Sequence, residues 1–133
     1  MAEKLDMYKC DDCGMIIQVI IEGDGKLVCC DEEMELLVPH GLSDEMLNEK
    51  HIPVFVKSDT EEGGEIRIGS MPHPMIPEHY IMFAEAIAPD KSHFKLKYLN
   101  PGDEPKMLLK HSLDKISAKI YCNLHGLWEA QND

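Results

Sequence analysis

The chain has 133 residues and a mass of 15.1 kDa, room for one ordinary domain or for a very small one followed by a medium one. Its formal charge of −12, from 13 Lys and Arg against 25 Asp and Glu, excludes the basic face that a nucleic-acid backbone requires. An apolar share of 44% beside 29% charged residues describes a globular chain, and its apolar runs, such as Val19-Ile20-Ile21, are too short to span a bilayer.

The opening MAEKLDMYKC is charged and lacks an apolar core, so no signal peptide is expected and a cytoplasmic location follows. Residues 1–38 read as Tyr8-Lys9-Cys10, an apolar stretch from Met15 to Ile21, a Gly23-Asp24-Gly25 turn, Lys26-Leu27-Val28 and the pair Cys29-Cys30. Gly-Asp-Gly between two apolar runs predicts a hairpin. So short a segment cannot bury enough apolar surface to fold alone, and domains this small need a metal, disulfides or a partner.

Residues 39–48, which include Val38's neighbours Pro39-His40-Gly41-Leu42-Ser43, read as a linker. One helical turn over Ser43–Asn48 is expected, capped by Ser43 with Met46 and Leu47 packing inward. Residues 49–133 alternate short β-branched and aromatic stretches with turns. The predicted strands are Ile52–Lys57, Glu65–Ile68, Tyr80–Ala88, Phe94–Leu99, Lys106–Leu109, Lys115–Tyr121 and Gly126–Ala130. Seven such strands predict a mainly β protein whose larger part is an immunoglobulin-like antiparallel β-sandwich.

The metal-ligating residues fall into two groups. Cys10-x-x-Cys13-Gly14 followed by Cys29-Cys30 is close to a common four-cysteine metal pattern, except that the second pair has no spacer. An odd total of five cysteines argues against a disulfide framework. Adjacent strand residues point to opposite faces, so Cys29 and Cys30 can share one ion only where the backbone bends. A vicinal disulfide and a structural zinc knuckle are the other readings, and four thiolates do not separate zinc from iron.

The second group is His51, His73, His79 and Cys122-x-x-His125. Pro72, Pro74 and Pro77 forbid a helix around His73 and His79, which read as loop ligands. Four imidazoles and one thiolate are one donor too many for tetrahedral zinc and suit iron with an open position. His40, His93 and His111 are assigned to ordinary surface or core roles.

These ordered motifs resemble the desulfoferrodoxins, the two-iron superoxide reductases. Residues 1–38 are similar to a desulforedoxin domain through Tyr8-Lys9-Cys10, Cys13-Gly14, Gly23, Gly25, Leu27, Cys29-Cys30, Met34 and Leu37. Residues 49–133 resemble the catalytic domain through Glu49-Lys50-His51-x-Pro53-Val54, Gly69, Pro72-His73-Pro74-Met75, His79-Tyr80-Ile81 and Tyr121-Cys122-Asn123-x-His125-Gly126-x-Trp128. Phe83 and Glu129 depart from the family, where Trp and Lys are usual.

The resemblance implies one iron held by Cys10, Cys13, Cys29 and Cys30, with zinc as the alternative occupant. It implies a second, catalytic iron with His51, His73, His79 and His125 around the equator and Cys122 as axial thiolate. His125 would bind through the ring nitrogen opposite to that used by the others. Glu49 would close the sixth position on ferric iron, and Lys50 would supply local positive charge. The implied activity is reduction of superoxide to hydrogen peroxide, with electrons from a rubredoxin-like donor and a homodimer as the assembly. The alternative is a non-catalytic iron or zinc module for electron transfer or metal binding.

Overall fold

The computed structural model describes residues 2–41, 48–59, 63–71 and 73–133. The chain forms two compact units, Met1–Val38 and Pro39–Asp133.

In the first unit, β1 (Met7–Lys9) lies between β2 (Ile16–Gln18) and β5 (Glu35–Leu36), antiparallel to both. A second pair, β3 (Val28–Cys29) with β4 (Glu32–Glu33), forms a tight hairpin. Its two loop residues, Cys30 and Asp31, both have positive φ, 52° and 62°. That is the signature of a type I′ turn, whose twist matches the strands it joins. The hairpin expected at Gly23-Asp24-Gly25 does not form. β2 returns onto β1 through the cysteine turn, and Gly23 bridges to Ala2 instead. Among the described residues here, only Leu5, Met7, Cys10 and Met34 are buried and apolar, too few to hold a fold by themselves.

Seven strands make up the second unit among the described residues. β6 (Pro53–Lys57), β7 (Gly64–Ile68) and β10 (Lys106–Leu109) form one sheet in the order β10-β7-β6. β8 (Ile81–Ile87), β9 (Phe94–Tyr98), β11 (Ser117–Cys122) and β12 (Gly126–Gln131) form the other, in the order β12-β11-β8-β9. Every pairing is antiparallel. Alternate residues of both sheets meet in one core: Ile66, Ile68, Met107 and Leu109 from the first, Ala84, Ala86, Ala118 and Ile120 from the second. The predicted strand positions match these elements to within one or two residues at each end.

A single helical turn, α1 (Asn48–His51), leads into β6. The turn expected over Ser43–Asn48 falls mostly on residues 43–47, outside the described residues. His40 runs beside β12 as an isolated parallel bridge to Trp128, so this part of the expected linker is joined to the second unit. Among the described residues no helix is long and apolar enough to cross a membrane.

Candidate metal centres

The four thiols of the first unit converge because two turns aim them at one point. Gly14, with φ of +82°, lets the chain fold back so that its amide donates to the Cys10 carbonyl at 2.8 Å. The Cys10 amide in turn donates to the Met15 carbonyl at 2.9 Å. On the other side, Cys29 ends a strand while Cys30 opens the I′ turn, which supplies the bend that adjacent ligands need. All four sulfurs lie within 4.8 Å of one another. Cys13 Sγ stands 3.6 Å and Cys30 Sγ 3.9 Å from Cys29 Sγ. Sulfurs bound at about 2.3 Å to one tetrahedral ion stand ~3.8 Å apart, so the spacing fits. All five cysteines of the chain are free thiols, which removes the vicinal disulfide reading.

The acid–base chemistry agrees. The backbone N–H of Cys13 holds the Cys10 thiol down at about 7. Hydrogen bonding to Cys10, then to Cys13, pushes Cys29 up to about 12. Four thiols this close cannot all ionise against one another's charge; a bound cation lifts that restriction.

The second centre is assembled from three separated segments. α1 delivers His51, the loop after β7 delivers His73 and His79, and the β11–β12 connection delivers Cys122 and His125. His51, His73, His79 and Cys122 have donor atoms that lie within 4.8 Å of one another. His125 joins them through Nδ1, 3.2 Å from His51 Nε2 and 3.7 Å from Cys122 Sγ. Taken in the order His51, His73, His79, His125, neighbouring ring centroids are 4.6, 4.7, 5.0 and 4.9 Å apart. The His51–His79 diagonal is 6.4 Å, close to what a square of those sides demands. His73 Nε2 and His51 Nε2 are 3.0 Å apart. Two nitrogens bound at about 2.1 Å and at right angles to one ion would be ~3.0 Å apart.

Local interactions orient each donor. Nδ1–H of His73 donates to the Pro74 carbonyl at 2.7 Å, which leaves the Nε2 lone pair facing the cluster. Asn123 fastens the His79 loop to the Cys122 turn: its Oδ1 accepts from Tyr80 N at 3.0 Å and its Nδ2 donates to the Glu78 carbonyl at 3.1 Å. Trp128 stacks on His51 at 4.9 Å and 20°, and its Nε1–H donates to the His125 carbonyl at 3.0 Å. Gly69, with φ of +84°, packs so closely under α1 that a Cβ would stand 2.6 Å from the Lys50 carbonyl oxygen. Sequence reasoning named Asn123, Trp128 and Gly69 only as motif positions; their contacts give them work. Phe83, where the family usually has Trp, stacks on Tyr121 at 5.8 Å and 8°.

Burial leaves these donors ready for a cation. It holds His73 at about 4 and lowers His79, so both imidazoles are neutral near pH 7 and their lone pairs are available. His79 Nε2 is buried with no hydrogen-bond partner, a cost of about 1–3 kcal/mol that a metal bond would remove. Cys122 is fully buried, and desolvation raises its thiol, so a cation must displace that proton. Lys50 lies close enough for its charge, after burial and His125, to help depress His79. Glu49 and Lys50 immediately precede His51 in α1.

A β protein carrying one cluster of four thiols and another of four imidazoles with a thiol is a two-centre metalloprotein. Two family descriptions match the chain, "Desulfoferrodoxin, N-terminal domain" over residues 2–37 and "Desulfoferrodoxin" over residues 43–131. The desulfoferrodoxin of Desulfarculus baarsii is 39% identical over 99% of this chain and 100% of its own length. The superoxide reductase of Pyrococcus horikoshii is 34% identical over 61% of this chain and 84% of its own length. The crystal structure of the superoxide reductase from Treponema pallidum shares the fold, with a TM-score of 0.72 at 24% identity over 98% of this chain and 99% of that one. The chain belongs to the desulfoferrodoxin family.

Proposed function

We propose that this chain is a superoxide reductase, whose centre formed by His51, His73, His79, His125 and Cys122 would hold iron and carry the reaction. The observation that carries this reading is the convergence of four imidazoles and one buried thiol on a single point. Iron held there would supply one electron at a time and be re-reduced by a one-electron donor protein of the rubredoxin kind. The net change is superoxide plus one electron plus two protons giving hydrogen peroxide, with no oxygen evolved.

The protein's own residues would do the rest. At −12 overall, the chain repels an anion, so capture depends on local positive potential. Lys50 supplies it beside His79. Cys122 would contribute an anionic sulfur from inside the core, where little water competes for it. The Pro74 carbonyl and the Asn123 staple would keep two of the imidazoles from swinging away. Glu49, adjacent to Lys50, would serve as a further, carboxylate ligand to the iron.

The four-cysteine centre is read as a second iron site, with zinc as the alternative, that holds the small unit together. A cytoplasmic homodimer completes the proposal. A calibrated pulse of superoxide tests the activity: one hydrogen peroxide per superoxide and no oxygen is expected. Half that yield with oxygen release would identify a dismutase instead. A colourless protein unchanged by ascorbate would favour the non-catalytic metal module.

A further inference from the structure

His40 falls between the two matched segments, 2–37 and 43–131, and the sequence alone assigns it an ordinary surface or core role. Its backbone is nevertheless pinned on both sides of Trp128. The His40 amide donates to the Leu127 carbonyl at 2.9 Å, and the Glu129 amide donates to the His40 carbonyl at 2.9 Å. Its exposed imidazole lies against the buried indole of Trp128, with centroids 4.8 Å apart and planes tilted by 40°. Trp128 in turn lies nearly flat on His51.

We propose that His40 is a positioning residue for the second centre: by stacking on Trp128 it holds the indole against His51 and so fixes the rotation of that imidazole. This rests on reading His51 as a metal ligand. The physical reasoning is short. The Nε1–H bond to the His125 carbonyl fixes one edge of the indole, the core holds most of the buried ring, and the His40 ring lies against it at 4.8 Å. A neighbouring ring limits the rocking that remains, because flat aromatic contact is lost quickly with tilt. His51 must keep Nε2 about 3 Å from both His73 and His125, and a ring lying on a steady indole cannot turn away. Outer partners that orient metal ligands command about 10–100-fold in metal affinity, and His40, one contact further out, belongs at the low end.

Trp128 is the chain's single tryptophan, so tryptophan fluorescence reports on this one indole. The full chain would be loaded with Co²⁺, whose d electrons quench a touching indole, and then given excess chelator. Recovery of fluorescence measures loss from the second centre, and anisotropy of the metal-free chain measures indole mobility. His40→Ala should lose Co²⁺ about tenfold faster, with a more mobile indole. His40→Phe, which keeps a stacking ring, should stay within about twofold of the unaltered chain, well short of that tenfold loss. His40→Leu, with bulk but no ring, should behave like alanine and stands in if the alanine variant does not fold. Unaltered loss rates in the Ala and Leu variants would overturn the proposal, as would a Phe variant that loses metal as fast as they do. None of these readings uses superoxide, so a chain that keeps the clamp yet fails to reduce superoxide would sink only the proposed activity.

Discussion

Replacing Gly69 by alanine should damage the second centre from a position that touches no ligand atom. Two costs can be worked from the structure. At φ of +84° an alanine pays for a left-handed backbone, about 1–2 kcal/mol. Its Cβ would also stand 2.5 Å from the Met71 carbonyl oxygen, 2.6 Å from the Lys50 carbonyl oxygen and 2.7 Å from the Lys50 carbonyl carbon. All three are backbone atoms, so no flexible side chain can swing aside, and overpacking of this kind costs about 1–3 kcal/mol. The total, roughly 2–5 kcal/mol, is a large share of an ordinary domain's stability. Relief must come from moving both the Met71 and the Lys50 peptides, and His51 is the residue after Lys50, so metal retention should fall together with stability. Gly102, at φ of +92° with nothing within 4 Å, isolates the backbone cost: its alanine variant should lose only about 1–2 kcal/mol. Urea unfolding of the metal-free variants gives the difference, and chelator competition gives retention. If Gly69→Ala and Gly102→Ala unfold alike and both hold metal normally, the steric reasoning is wrong.

Cys122→Ser should abolish superoxide reduction by removing the only sulfur donor of the second centre; unchanged turnover in a superoxide pulse would refute the assignment. Cys13→Ser should disturb the four-thiol metal, visible as a changed metal-to-protein ratio, while superoxide is still consumed at the usual rate. A folded variant that no longer reacts would mean that the two centres are coupled. Lys50→Ala should slow superoxide capture by about tenfold and flatten its dependence on ionic strength, as expected for loss of a local steering charge. Pulse radiolysis across a salt series checks this, and an unchanged bimolecular rate would remove Lys50 from the mechanism.

Much of the chemistry is legible in the chain because ligand type is a property of the residue itself. Four cysteines and the set His51, His73, His79, Cys122 and His125 name their metals' preferences wherever the backbone takes them. Strand positions in residues 49–133 are equally readable, since one buried face imposes a two-residue alternation that neighbouring strands cannot override. Pairing is different. Gly23-Asp24-Gly25 has the composition of a hairpin, yet β2 finds β1, and the tight turn falls on Cys30 and Asp31, neither of them a glycine. Turn composition is a local preference, while the partner of a strand is settled by which distant segment completes a sheet and, here, by where four sulfurs must meet. Likewise nothing adjacent to His40 announces Trp128, 88 positions further on, nor does Gly69 announce the peptide of Lys50. The residues alone therefore determine which atoms can hold metal. Their separation, their orientation and the rings and carbonyls that steady them arise only when remote parts of the chain close on one another, because contact energies depend on distance in space and not along the backbone.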